Sequence, residues 1–151
     1  MPRHSKQVSD SDRPAAHESA LANLLREGGL RPTAQRIALG VILFANRDRH
    51  VTAEMIYREA LQAKVPISLA TIYNTLNKFA EAGLLRQIRV GGSTVHFDTN
   101  TSSHPHFFVE NGNLLLDIPD AEIALDKMPA VPVGYEFVAT EIVVRLKRKH
   151  G

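Results

Sequence analysis

Apolar residues recur at helical spacing through the first part of the chain and give way to short β-prone runs after it. Ala20, Leu21, Leu24 and Leu25 share one face of a helix predicted over residues 17–28, which Gly28-Gly29 terminates. Thr33 is placed to cap a second helix, whose Ile37, Val41 and Phe44 return at intervals of four and three. Residues 46–49 read as a polar turn. Thr52 then caps a third helix with Glu54 in its first turn, where the helix dipole favours a negative charge. Its expected apolar stripe is Ile56, Ala60 and Ala63, and Val65-Pro66-Ile67 ends it. Ser68 caps a fourth helix with Leu69, Ile72, Leu76 and Phe79 on one face and Gly83 as its stop.

Two β-prone runs follow, 84–90 and 94–98, around Gly91-Gly92-Ser93, and read as a hairpin. Helices followed by a hairpin predict a winged helix-turn-helix domain over residues 16–98. A different pattern takes over beyond it. Phe107-Phe108-Val109 and Leu114-Leu115-Leu116 flank Glu110-Asn111-Gly112-Asn113, where Asn-Gly suits a type I′ turn. A short helix is expected from Pro119 to Met128 and a long alternating strand from Tyr135 to Leu146. The fold class is therefore α+β: a winged-helix domain, a hinge over residues 99–106, and a small α/β dimerisation domain over residues 107–147. Three strands and one helix cannot bury their own apolar area, so a homodimer is expected.

Composition narrows the classes of function. With 151 residues and no cysteine, disulfides, thiolate catalysis and Cys-based zinc sites are excluded. No apolar run approaches the roughly 18 residues of a membrane span. Residues 1–15 are polar, lack the apolar core of a secretory signal and read as a disordered tail, which points to a cytoplasmic protein. The net charge of +2 is uneven: residues 1–97 carry +5 and residues 98–151 carry −3. A basic first part suits a polyanionic partner such as double-stranded DNA.

The fourth helix is the candidate DNA reader. Small residues at its start allow close approach to a major groove, and outward polar or methyl-bearing side chains can meet base edges. Ser68, Ala70, Thr71, Tyr73 and Asn74 supply these, with Asn74 suited to an adenine edge. An exposed Tyr73 in a helix with few charges favours DNA over an idle solvated face. Arg31 and Arg36 could hold phosphates or enter a minor groove. Arg86 and Arg89 are expected on one side of the wing strand. Each arginine alone could be an ordinary surface charge; their clustering about one helix gives them weight.

His104-Pro105-His106 is the second constellation, with His50 and Asp98 as partners; His96 reads as a solvated or core residue. Histidines at i and i+2 of an extended segment point the same way and can share an ion. Nitrogen and carboxylate donors without sulfur suit manganese, ferrous iron or zinc, while imidazole alone suits haem iron. A small metalloenzyme using His104, His106 and Asp98 is a competing reading, but no nucleophile–base pair or phosphate loop accompanies these residues.

With these motifs in place, residues 17–147 resemble the ferric uptake regulator family. The resemblance is carried by Gly29-Leu30-Arg31-Pro32-Thr33-Ala34-Gln35-Arg36, His50-Val51-Thr52-Ala53-Glu54-Met55-Ile56-Tyr57 and Ser68-Leu69-Ala70-Thr71-Ile72-Tyr73-Asn74-Thr75-Leu76. It implies a homodimeric, metal-responsive repressor, with Arg31 near a minor groove and Tyr73 on the reading helix. Many members hold a structural zinc with Cys-x-x-Cys pairs, and Val109-Glu110-Asn111-Gly112 stands in the first such position. Asn74 replaces the usual arginine, which implies a different operator. These departures, with His-Pro-His-Phe-Phe, resemble the iron-response regulator branch. That implies a regulator of iron and haem homeostasis, active when iron is scarce and inactivated by haem at His104, His106 or their neighbours. The alternative is a repressor that binds DNA with Fe or Mn at His50, Asp98, His104 and His106. The two imply opposite responses to the effector.

Overall fold

The computed structural model describes residues 13–45, 48–119, 123 and 126–150. Four helices come first: α1 (Arg13–Glu27), α2 (Ala34–Phe44), α3 (Ala53–Gln62) and α4 (Leu69–Glu81). Each of the last three begins at the cap read from the sequence. Thr33 accepts from the Arg36 amide, Thr52 from Met55 and Ser68 from Thr71, so each hydroxyl satisfies one amide that lacks a partner within its helix. Gly83, at φ +78, sits just past the α4 C-cap Ala82, a backbone setting that disfavours any side chain.

The helical lobe closes around one core. Ile72, Leu76 and Phe79 of α4 meet Leu39 and Leu43 of α2 and Ile56 of α3, all fully buried. Two readings of this lobe need correction. Helix α1 begins at Arg13 rather than His17, so residues 13–15, expected in the tail, belong to it; Pro14 suits a first turn, where its missing N–H breaks no bond. Ala63 is exposed, because α3 stops at Gln62 and Ala63 is its C-cap. Residues 1–12 lie outside the described residues, as do Asn46 and Arg47 of the expected turn.

Strands β1 (His50–Val51), β2 (Arg86–Ile88) and β3 (His96–Asp98) form a sheet in the order β1-β3-β2. β2 and β3 are the expected wing hairpin; β1 was not foreseen. Its register sets His50 opposite Asp98 and Val51 opposite Phe97. Since paired residues share a face and faces alternate, Val51 and Phe97 enter the helical core while His50 and Asp98 face away from it.

The second lobe is β4 (His106–Val109), β5 (Leu114–Asp117) and β6 (Val143–Leu146), ordered β5-β4-β6 with β4 and β6 parallel. Its hairpin differs from the Asn-Gly turn expected. The Gly112 amide bonds Val109 across a four-residue loop, and Asn113 (φ 50), not Asn111, takes the left-handed conformation. The long strand is also shorter than its alternation suggests: among the described residues only Val143–Leu146 form a strand. Tyr135, Phe137 and Val138 are exposed, at 77%, 59% and 87%, so that stretch has apolar side chains and no covering layer among the described residues. Of the expected 119–128 helix, residues 120–122, 124 and 125 lie outside the described residues.

Ile88 and Val90 of the wing bury themselves against Phe108 and Leu115 of the second lobe. Arg145 of β6 stacks over Phe108, donates to the Val90 carbonyl and pairs with Glu110 at 3.3 Å. Glu110 belongs to the loop between β4 and β5. Here that loop is held to β6 by this ion pair and by the Glu110 amide bonding Leu146 at 2.9 Å. No helix among the described residues is long and apolar enough to cross a membrane.

Candidate metal centre and nucleic-acid interface

The two sheets bring their polar faces together at one point. β1 supplies His50, β3 supplies Asp98, β4 supplies His106, the segment before β4 supplies His104, and β5 supplies Asp117. One donor atom from each of these five lies within 4.8 Å of all the others. His50 Nε2 is 3.0 Å from Asp98 Oδ2 and from Asp117 Oδ1; His104 Nε2 is 3.1 and 3.0 Å from them; His106 Nε2 is 3.1 and 3.3 Å from them. Four of the donors are those named from sequence. Asp117 was missed, although the hairpin register places it directly opposite His106.

Local bonds aim these groups. The Asn100 amide donates to Asp98 Oδ1 at 2.8 Å, leaving Oδ2 for the histidines. His104 Nδ1 lies 2.8 Å from the Ser102 carbonyl, an acceptor only, so Nδ1 carries a proton, and in the neutral form of the ring Nε2 turns a lone pair toward the carboxylates. Lone pairs of nitrogen and oxygen about 3 Å apart repel unless a proton or a cation lies between them. His50 Nε2 makes the same case: it is buried and lacks an aligned hydrogen bond to either carboxylate among the described residues.

Ligand atoms at right angles about 2.1 Å from one ion stand about 3.0 Å apart, which matches the spacings here. The donor set therefore fits one divalent cation, held by His50, Asp98, His104, His106 and Asp117. Three imidazoles with two carboxylates suit Mn, Fe or Zn. Bound there, the ion would supply positive charge that draws the two lobes onto one centre. Haem fits less well, because all three imidazoles converge on the carboxylates, with His104 and His106 ring centroids only 4.4 Å apart.

Burial pushes the His50 imidazole down, but close contact with Asp98 and the charges of Asp98 and Asp117 outweigh it and raise its pKa above 6.5. For Asp98, burial works upward, and His50 and the Asn100 amide overcome it and hold the carboxyl below its usual value. His106 is lowered by burial, only partly offset by Asp98. A histidine must lose its proton to bind an ion, so metal affinity should rise with pH through the raised His50 value and level off above it. In the metal-free protein the sign is opposite: protonated His50 stabilises the fold at low pH, and that contribution is lost as pH rises through the same value. Calorimetric metal titrations in two buffers would count the released proton. An affinity independent of pH between about 6 and 8 would contradict this assignment.

The expected DNA residues fall in two groups. Ser68, Ala70 and Asn74 are exposed on α4 and Thr71 is half-buried beside them; Arg31 and Arg89 are also exposed. Arg36 is half-buried and donates to the Arg31 carbonyl at 2.9 Å, fixing the bend before α2. Tyr73 is half-buried rather than exposed, and its hydroxyl donates to Glu54 of α3. That bond raises the phenol pKa and lowers that of Glu54. Arg86 turns away from α4. An interval of three in a structure of period two puts Arg86 and Arg89 on opposite sides, so they do not share the wing face expected of them.

Residues 27–144 match the profile of the ferric uptake regulator family. The chain is 42% identical over 105 residues to the peroxide operon regulator of Bacillus subtilis, a match covering 68% of this chain and 71% of that protein. It is 40% identical over 101 residues to the peroxide-responsive repressor PerR of Staphylococcus epidermidis, covering 66% of this chain and 65% of the relative. The fold resembles the ferric uptake regulator of Pseudomonas aeruginosa solved with manganese, at TM-score 0.67 and 24% identity, over 86% of this chain and 98% of that one. Members of this family are transcription regulators, so the metalloenzyme reading falls away. The chain belongs to the ferric uptake regulator family.

Proposed function

We propose that this protein is a homodimeric repressor whose operator binding is promoted by a divalent ion, Mn or Fe(II), at the five-donor cluster. The observation that carries this is the convergence of three Nε2 atoms on two carboxylate oxygens contributed by both lobes. An ion at that junction would favour one relative orientation of the lobes, and so of the two α4 helices in a dimer. The exposed apolar stretch around Tyr135, Phe137 and Val138 is the surface a second copy would cover. DNA affinity would come from Arg31, Arg36 and Arg89 at phosphates or the minor groove, and base preference from Ser68, Ala70, Thr71, Tyr73 and Asn74.

The iron-response reading rests on the missing cysteine pairs, Asn74 and the His-Pro-His-Phe-Phe run, and the imidazoles of His104 and His106 that would hold its haem both belong to the five-donor cluster. A peroxide response is favoured instead by the names of the two bacterial relatives. With Fe(II) bound, peroxide should release DNA, because Fe(II) is readily oxidised; with Mn(II) bound, DNA should stay. A gel-shift titration on an operator selected from a random duplex pool separates these readings. Mn(II) should tighten binding and haem should not release it; haem-driven release without any Mn(II) effect would overturn the proposal.

Tyr73→Ala tests the reading helix. Removing the ring should weaken operator binding by about 10-fold to 100-fold, within the ~1–3 kcal/mol span of a good base contact, and leave the dimer mass unchanged. Operator preference equal to wild type would remove Tyr73 from the interface.

A further inference from the structure

Arg86 stands in the same rank of the first sheet as two of the cluster donors. The register sets Arg86 opposite Asp98 on one side of β3, and His50 opposite Asp98 on the other. Residues in one rank leave a sheet on the same face, so Arg86 faces the metal centre and not the surface that carries α4. Its guanidinium donates from Nη1 to the Ser102 carbonyl at 3.0 Å, and Nη2 lies 3.4 Å from Glu141 Oε1. The side chain is only 14% exposed. The same Ser102 oxygen accepts the Nδ1–H of His104 at 2.8 Å. A carbonyl has two lone pairs; here one serves the wing strand and the other a cluster histidine.

We propose that Arg86 is a positioning residue of the divalent-metal centre: it fixes the Ser102 carbonyl, which in turn fixes the tautomer and direction of His104. The inference rests on the metal-centre reading above. Ser102 lies in a segment between β3 and β4 without regular structure. Its amide and hydroxyl bond Asn100 Oδ1 at 3.0 and 2.6 Å, which shapes the turn internally but leaves the carbonyl to outside donors. Arg86 reaches that carbonyl from β2 and holds Glu141 just ahead of β6. It thereby ties the wing, the ligand segment and the second lobe to one guanidinium. Outer partners that orient a metal-binding histidine typically change metal affinity by about 10–100-fold when removed.

The test is a Co(II) titration of full-length protein, followed by visible absorption, for wild type, Arg86→Ala and Arg86→Lys. Arg86→Ala should weaken Co(II) binding by about 10-fold or more and shift the ligand-field bands, because His104 is released. Arg86→Lys keeps a cationic donor and should recover most of both. At saturating Mn(II), the salt dependence of nonspecific duplex binding should be the same for Arg86→Ala and wild type. Wild-type Co(II) affinity and spectrum in Arg86→Ala would overturn the proposal. So would a loss of affinity with unchanged bands that Arg86→Lys fails to restore, as a purely structural role predicts. A salt slope smaller by about one per protomer, with metal binding intact, would return Arg86 to the DNA contacts. Should Arg86→Ala fail to fold, Arg86→Gln carries the same expectation. Absence of Co(II) uptake by wild type would instead strike the metal-centre reading itself, and this proposal with it.

Discussion

Asp98→Asn should weaken divalent-metal binding by about 100-fold or more while the protein remains folded. Asp98 is 1% exposed, and its Oδ2 meets all three imidazole nitrogens at 3.0–3.1 Å, so no solvent charge can replace it. Asparagine keeps the shape and can still accept the Asn100 amide. It presents a neutral amide where the ion needs an anion. Removing one partner of a buried charge pair costs about 3–5 kcal/mol, and about 1.4 kcal/mol is tenfold in affinity. The metal-free variant should also release fewer protons on titration, since His50 loses the carboxylate that raises its pKa. Calorimetry on wild type and variant measures both quantities. Near-equal affinities would remove Asp98 from the donor set.

Phe97→Ala should cost about 3–5 kcal/mol of unfolding free energy, a large share of the roughly 5–15 kcal/mol a domain of this kind possesses. Phe97 is fully buried in the helical core, paired with Val51 across the β1–β3 ladder. Its neighbour Asp98 leaves β3 on the other face, so the same short strand anchors the core and presents the central donor. Metal affinity should fall with stability, because a loosened strand no longer holds Oδ2 in place. Urea denaturation gives the first quantity and a Mn(II) titration the second. A loss below about 1 kcal/mol, outside the range for Phe→Ala in a core, would mean that Phe97 is not a keystone of the lobe.

The helical lobe was legible because its signals are local. Thr33, Thr52 and Ser68 each mark a start by a hydroxyl, and the Leu69, Ile72, Leu76, Phe79 spacing marks a buried face. His50, Asp98, His104 and His106 were legible as one donor set from their residue types and the family resemblance, but the geometry of their meeting was not, since it depends on two sheets facing each other. Asp117 carried a usable signal. Extending the 107–109/114–116 hairpin by one pair sets it opposite His106. β1 escaped because two residues form no readable period. The Tyr135–Leu146 alternation is real, yet among the described residues only its last four form a strand. Tyr73 was read as free because a polar side chain on a surface helix carries no sign of its partner, and its hydroxyl is bound to Glu54 of α3, a tertiary contact that periodicity does not encode. Arg86 was set beside Arg89 although an interval of three along a strand reverses the face, and its guanidinium is bound to the Ser102 carbonyl.

The most direct measurement is fluorescence anisotropy of a labelled duplex, selected from a random pool by the Mn(II)-loaded protein, titrated with protein at fixed ionic strength. Wild type with Mn(II) should bind at least about tenfold more tightly than without it, a coupling of about 1.4 kcal/mol, and Asp98→Asn should show no difference between the two conditions. Wild-type binding indifferent to Mn(II), or an Asp98→Asn response equal to wild type, would contradict control of DNA binding by the His50–Asp98–His104–His106–Asp117 centre.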